Sequence, residues 1–351
     1  MGSWEDNVRK VVPYVPGEQP NQPDMIKLNT NENPYPPAPG VQKALSAMDA
    51  GQMRLYPDPA SADLVHALAD HYQVSPSQIF VGVGSDDVIS MAFLTFFHGK
   101  KPVLFPDITY SFYEVWADVY RIPYRTIPLD DQFRICPEDY TLENGGIIFP
   151  NPNAPTGAAM NPEGVEQIIR QNPDSVVIVD EAYVDFGTAS ALPLLKKYDN
   201  LLVVQTFSKS RSMAGMRIGF AIGNEKLIRF MQDVKYSVNS YTMNRPSIFL
   251  GKAALQDDIY FRNTTRKIIE TREWAKDELR KRGFHFADSK ANFLFASHET
   301  VSAVKIFEGL RKRHIYVRYF NRPRIDNYLR ITIGTKEQMQ ALFDALDEIL
   351  R

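Results

Sequence analysis

Residues 176–223 read VVIVDEAYVDFGTASALPLLKKYDNLLVVQTFSKSRSMAGMRIGFAIG, and this stretch decides the fold. Three runs in it, 176–179, 201–205 and 218–222, are apolar without alternation. Such runs suit strands covered on both faces, as in a mostly parallel sheet between layers of helix. The same texture recurs outward at 79–83, 103–105 and 146–149, with helix-like segments between. The segment SADLVHALADHY (61–72) has apolar residues at helical spacing behind a Ser or Asp cap. We therefore expect an α/β domain over 40–245, built on a mostly parallel central sheet with helices on both faces.

Beyond 245 the pattern changes. A charged stretch at 257–282 carries apolar residues at helical spacing. It is followed by strand-like NFLFAS (292–297), a helix-like run to 312, strand-like IYVRYF (315–320) and YLRITIG (328–334), and a final helix. This reads as a smaller α/β C-terminal domain, 246–351. At the other end, ten of the 24 prolines precede position 60. Proline fixes φ and disfavours helix in the residue before it, so 1–39 reads as an extended N-terminal arm. Such an arm is either a disordered tail or a strap across the body or a partner subunit. Val12, Tyr14, Ile26 and Leu28 favour the strap.

Composition excludes several classes. The 351 residues carry 40 Lys plus Arg against 42 Asp plus Glu, a net charge of -2, which argues against a whole-surface nucleic-acid binder. Hydrophobic residues at 44% and charged residues at 23% are globular values, not those of a disordered or fibrous chain. Cys136 is the only cysteine, so no intramolecular disulfide or cysteine zinc cluster is expected, which fits a reducing cytoplasm. The start, MGSWEDNVRKVVPY, has no apolar run of signal-peptide length, and no run elsewhere approaches 18 residues. Neither a signal peptide nor a membrane span is expected. His66 and His71 are five apart, one step off the pair that shares a helix face, and the six histidines show no metal spacing.

The chemistry begins with Asp180, which directly follows an apolar run, at the strand end where open α/β sheets bind ligands. For a lone aspartate the ordinary reading is a helix cap or turn. The next run, 201–205, leads into Lys209, flanked by Ser208 and followed by Arg217. A lysine after a strand is usually solvated. At a strand mouth beside a hydroxyl and an arginine it is placed to act as a nucleophilic amine. If the two strands are neighbours, a carboxylate and an amine face one crevice, which is what pyridoxal phosphate needs. The amine bonds its aldehyde and the acid partners its pyridinium nitrogen. A phosphate site is then required, and IFVGVGSDDVISMAFLTFF (79–97) runs strand, glycine turn, apolar helix. Helix N-terminal N–H groups attract anions. As a dinucleotide fingerprint it fails for want of a third glycine.

These motifs resemble the fold-type I pyridoxal-phosphate aminotransferases, and among them the histidinol-phosphate aminotransferase family. The matching segments are LNTNENPYP (28–36), LYPDP (55–59), GVGSDD (82–87), PDITYSFY (106–113), NPNAPTG (151–157), DEAY (180–183), TFSKSRSMAGMRIG (206–219) and YLRITIGT (328–335). They stand in family order and span essentially the whole chain. The resemblance implies that Lys209 holds the cofactor covalently and shuttles a proton, and that Asp180 keeps the ring nitrogen protonated. Tyr183 would donate to the ring oxygen O3′. Ser208, Arg217 and the Ser85–Asp86 backbone would hold the phosphate, and Tyr110 would stack on the ring. Tyr56 would reach the phosphate from a partner subunit, which makes the active unit a homodimer. One departure stands out: the family commonly has an asparagine bonding O3′ where this chain has Ala154, and either Asn153 substitutes or Tyr183 carries O3′ with less help.

At the substrate end, Arg318, Arg322, Arg324 and Arg330 crowd two strand-like segments. A solvated basic face is the plain alternative. Alternation in YLRITIG puts Leu329, Ile331 and Ile333 on one face and Arg330 with Tyr328 and Thr332 on the other. The resemblance assigns Arg330 to the carboxylate of glutamate or 2-oxoglutarate, and Arg318 to a substrate phosphate with Tyr14 of the arm. Asn31 and Asn292 stand near this edge. The implied reaction is transamination of histidinol phosphate with 2-oxoglutarate in histidine biosynthesis. Aromatic amino acid transamination, phosphothreonine decarboxylation and a regulatory module without turnover are the alternatives. The last would need a fused DNA-binding segment, for which these residues leave no room.

Overall fold

The computed structural model describes residues 3–351. Its strands are β1 (Ile26–Lys27), β2 (Ile79–Val83), β3 (Val103–Pro106), β4 (Tyr124–Ile127), β5 (Gly146–Pro150), β6 (Val177–Asp180), β7 (Leu201–Thr206), β8 (Ile218–Gly223), β9 (Phe284–Phe286), β10 (Phe293–His298), β11 (Ile315–Tyr316), β12 (Arg318–Tyr319) and β13 (Leu329–Thr332). Its α-helices are α1 (Pro39–Ser46), α2 (Ala62–Tyr72), α3 (Ser85–Phe96), α4 (Phe112–Tyr120), α5 (Pro162–Gln171), α6 (Glu225–Val238), α7 (Arg245–Leu255), α8 (Asp258–Lys281), α9 (Ala303–Arg311) and α10 (Lys336–Ile349).

The central sheet has the order β2-β8-β7-β6-β5-β3-β4. β8 runs antiparallel to both neighbours, and the pairs from β7 across to β4 are parallel. The unbroken apolar runs are explained by burial on two faces. On β6 and β7, Ile178, Leu202 and Val204 enter a core with α3 and α4, while Val177, Val179, Leu201 and Val203 enter another with α5. α5 shows the local logic. Asn161 caps it by accepting from Gly164 N–H, Pro162 opens it, and Val165, Ile168 and Ile169 form its buried face.

The smaller sheet, β12-β13-β10-β9, is antiparallel and packs against α8, α9 and α10. Two expectations change here. The expected strand at 315–320 divides at Val317. β11 pairs in parallel with β1 of the arm, and β12 pairs with β13. The arm is thus a strap on the smaller domain, and Leu28 lies in that domain's core. The expected boundary at 245 falls before α7, yet α7 packs with α1 and α2 in a core beside β2 and β8. The long α8 is the element that leaves the larger unit.

Candidate active site

β6 and β7 are neighbours and parallel, with Asp180 in register with Val204. Asp180, the last residue of β6, and Lys209, three residues past β7, therefore open onto the same C-terminal edge of the sheet. Asp180 is buried. Its Oδ2 accepts from the Tyr113 hydroxyl at 2.8 Å, and its Oδ1 accepts from Ala182 N–H at 3.1 Å. Burial pushes its carboxyl up to about 6, against the hydrogen bonds and the Lys209 charge, which favour the anion. Lys209 Nζ donates to Thr30 O at 3.1 Å and stands 5.8 Å from the centre of the Tyr183 ring.

The arm contributes more than the motif showed. Asn33 Nδ2 donates to both Lys209 O and Ser210 O at 3.1 Å, and Asn31 Nδ2 donates to the Tyr183 hydroxyl at 2.8 Å. Asn31 adopts φ 57°, a left-handed conformation that asparagine tolerates. Its backbone is pinned by Thr332 Oγ1, which accepts from Asn31 N–H, and by Asn292 Nδ2, which donates to Asn31 O. Asn31, expected on the substrate side, thus meets Tyr183. Asn33, Thr30 and Tyr113 were not singled out from sequence. All three lie in segments that were quoted, but what they meet is set by tertiary packing.

The candidate phosphate cradle is the place where β2 turns into α3. Gly84, at φ 84°, opens a helix whose first N–H groups lack intrahelical partners. A Cβ on Gly84 would overlap Arg217 Nη2, and one on Gly219 would overlap the Gly84–Ser85 peptide. Glycine at both positions is what lets Arg217 and strand β8 pack against the start of α3. Asp86 Oδ2 pairs with Arg217 Nη2 at 3.0 Å, Asp86 Oδ1 accepts from the Tyr110 hydroxyl at 2.6 Å, and Arg217 Nη1 reaches Ser208 Oγ at 3.4 Å. The Asp86 carboxylate therefore fixes Arg217 and Tyr110, leaving its backbone for an anion. Amides, a hydroxyl and a guanidinium suit a phosphate monoester, and the nearby lysine and carboxylate suit a pyridine aldehyde.

Of the alternatives left open for Asn153, its contacts favour a loop-bracing one. Its Nδ2 donates to Ile108 O at 2.9 Å and Thr156 Oγ1 at 3.1 Å, and its Oδ1 accepts from Thr109 Oγ1 at 3.0 Å. One amide proton braces the loop before Tyr110 and the other braces Asn153's own 151–157 loop, so none remains for a ring oxygen.

At the far side of the cleft, Arg318 and Arg330 are directly opposed across β12 and β13. Leu329, Ile331 and Ile333 fill the core, so Arg330 faces the other way. Arg330 Nη2 donates to Asn29 O at 3.0 Å, while its Nε has no partner among the described residues. Burial and the Arg318 charge both act against its protonated form. Arg318 reaches the arm carbonyls of Val15 and Pro16 at 3.3 and 3.4 Å. Two opposed guanidiniums and an unpartnered donor invite an anion. The Tyr14 ring stacks on Phe112 at 4.2 Å and lies 6.5 Å from Tyr110. Arg324 is held elsewhere, on Asp107, and Arg322 lies 3.9 Å from Glu114. Tyr56 stands apart, 79% exposed, against Tyr241.

The model of the family aminotransferase class I and II matches residues 23–346. Histidinol-phosphate aminotransferase 1 of Hydrogenovibrio crunogenus is 53% identical over 348 residues, covering 99% of this chain and 98% of its own. The enzyme of that name from Bordetella parapertussis is 52% identical over 349 residues, covering 99% of this chain and 98% of its own. The solved histidinol-phosphate aminotransferase of Sinorhizobium meliloti, in complex with pyridoxal-5′-phosphate, superposes with a TM-score of 0.85 at 25% identity, over 93% of this chain and 91% of that one. With the strand-end carboxylate, lysine and phosphate cradle in the same fold, the chain belongs to the class I and II aminotransferases, within the histidinol-phosphate aminotransferase family.

Proposed function

We propose that the chain transfers the amino group of histidinol phosphate to 2-oxoglutarate, reversibly, giving imidazole-acetol phosphate and glutamate, with pyridoxal phosphate as cofactor. The observation that carries this reading is the joint placement of Asp180 and Lys209 between a phosphate cradle and an opposed arginine pair. The bound cofactor supplies an electron sink for the pair left when the substrate Cα–H bond breaks. Arg217, Ser208 and the first-turn amides of α3 hold its phosphate. The Asp180 carboxylate holds a proton on its ring nitrogen. Tyr183, whose oxygen accepts from Asn31, keeps its own proton to donate to the ring oxygen. Lys209 Nζ, freed from Thr30 O, takes the proton from the substrate Cα.

Both substrates bring an anionic group, a phosphate in one and carboxylates in the other. The Arg318–Arg330 pair would serve both in turn, the first product leaving before the second substrate binds, which is ping-pong kinetics. The Tyr14–Phe112 stack offers a flat wall to an imidazole ring. Residues 40–255 carry the cofactor chemistry, and the smaller domain with its strap carries the anion site. Tyr56 is assigned to the cleft of a second copy. Exposed Tyr56, Met53, Leu55 and Tyr241, 44–79% accessible, support a homodimer built on that face. A cytoplasmic setting belongs to the same proposal, supported by the lone Cys136.

The test compares histidinol phosphate with phenylalanine and tyrosine as amino donors in steady state. A preference for the phosphorylated donor is expected, because the arginine pair rewards a second negative charge. Preference for the unphosphorylated aromatics would overturn the substrate assignment. A Lys209→Ala protein that transaminates at near the parent rate would overturn the chemistry itself.

A further inference from the structure

We infer that Tyr113 is a positioning residue for the cofactor's ring nitrogen: its buried hydroxyl, locked onto Asp180 Oδ2, keeps that carboxylate ionised and aimed at the ring. The inference rests on Asp180 being the partner of that nitrogen. Tyr113 lies on the first turn of α4 and is fully buried. Its ring is boxed by Phe93, Phe105 and Tyr110, at centroid distances of 6.5, 5.9 and 5.8 Å. The box fixes the hydroxyl, whose hydrogen bond is the 2.8 Å contact to Asp180.

The direction of that bond matters. Burial and the Asp180 charge push the Tyr113 phenol well above its ordinary value, so it stays a donor throughout the working range. A donor to a carboxylate favours the anion. Asp180 needs this help, because burial and the Asp86 charge on α3 favour its neutral form. Only Tyr113 from α4, Ala182 N–H on its own segment and Lys209 after β7 oppose them. Among these opponents Tyr113 is the one that a single-atom change removes.

A cofactor with a protonated ring nitrogen binds the ionised carboxylate. Below the Asp180 midpoint, near about 6, binding must first expel a proton, and affinity falls as pH falls. Tyr113→Phe removes the donor, raises that midpoint, and so starts the fall at a higher pH. The experiment measures pyridoxal phosphate affinity of the apoprotein by visible absorbance, from about pH 5 to about pH 8.5. It compares the parent, Tyr113→Phe, Asp180→Asn and the double variant. Titrations of the cofactor itself are common to all four and cancel.

The expected result is an acid limb displaced upward by about one pH unit in Tyr113→Phe, with alkaline affinity within about threefold of the parent. The limb should be absent in Asp180→Asn, and adding Tyr113→Phe to that variant should change nothing further. An unmoved limb overturns the inference, as does a loss of equal size at every pH that persists in the double variant. An Asp180→Asn protein that keeps the parent's affinity and limb would instead overturn the role of Asp180.

Discussion

Asn31 presents its amide nitrogen to Tyr183 and its amide oxygen to Thr332 Oγ1, at 2.8 and 3.1 Å. Because Tyr183 accepts from Asn31, its own proton is left for another acceptor in the cleft. Asn31→Asp is close in shape and keeps a side chain that tolerates φ 57°. It reverses the polarity: the Tyr183 hydroxyl then donates to the new carboxylate and is lost to the cofactor's ring oxygen. Because the new carboxylate is buried, we expect folding stability to fall by about 1–3 kcal/mol, while kcat falls by about 10- to 100-fold, the worth of one hydrogen bond to a charged group. Denaturant midpoints and steady-state rates check the two halves separately. Asn31 was legible as a motif residue, but its target was not, because hydrogen-bond direction depends on which side chain the fold brings opposite. The placement of Asp180 and Lys209 at one sheet edge was legible for the converse reason. Their positions follow strand ends, and strand ends are marked by buried runs.

The runs that fill both faces of the central sheet were readable as elements because burial on two sides removes polar residues altogether. β4, Tyr124–Ile127, escaped that reading. It is an edge strand with exposed Tyr124 and Arg125, so nothing marks it as apolar. β9 has three residues, too few for a period. At the β2–α3 junction the glycine turn was visible in the sequence, but its crowding with Arg217 was not. Gly84→Ala brings a Cβ into Arg217 Nη2 at a φ that side chains rarely adopt, so the guanidinium must leave the cradle. We expect the preference for pyridoxal phosphate over pyridoxal to shrink at least about tenfold, as a charge-assisted contact is lost. Parallel binding titrations with the two compounds measure it. An equal weakening of both would locate the defect in the ring site and not in the cradle.

At the scale of the whole molecule, two of the ties between the larger unit and the C-terminal one bear on the chemistry. On one side Arg272 of α8, fully buried, donates to Phe186 O at 2.7 Å and Ala291 O at 3.0 Å, joining the turn after Tyr183 to the entry of β10. On the other, Arg324 of the smaller domain pairs with Asp107 at 2.9 Å and donates to Leu129 O and Asp130 O. Beside it Ile325 and Phe295 pack with Ile108, Leu129 and Phe133 across the cleft. The second tie holds the carrier of Arg318 and Arg330 against the loop that carries Tyr110. Its loss should therefore misplace the substrate anion relative to the cofactor and leave the cofactor bound as before. Arg324 is partly exposed and Asp107 keeps its bond from Leu129 N–H, so Arg324→Ala should cost less than about 1 kcal/mol of stability. We expect KM for both substrates to rise about tenfold, because misplaced binding groups weaken positioning before chemistry. Pyridoxal phosphate affinity should not change. Arg272→Met is the contrasting case. It strands two buried carbonyls and should lower stability by about 3 kcal/mol, read as a denaturant midpoint. Were Arg324→Ala to weaken cofactor binding as much as substrate binding, the tie would belong to the cofactor site and the division between the two domains would fail.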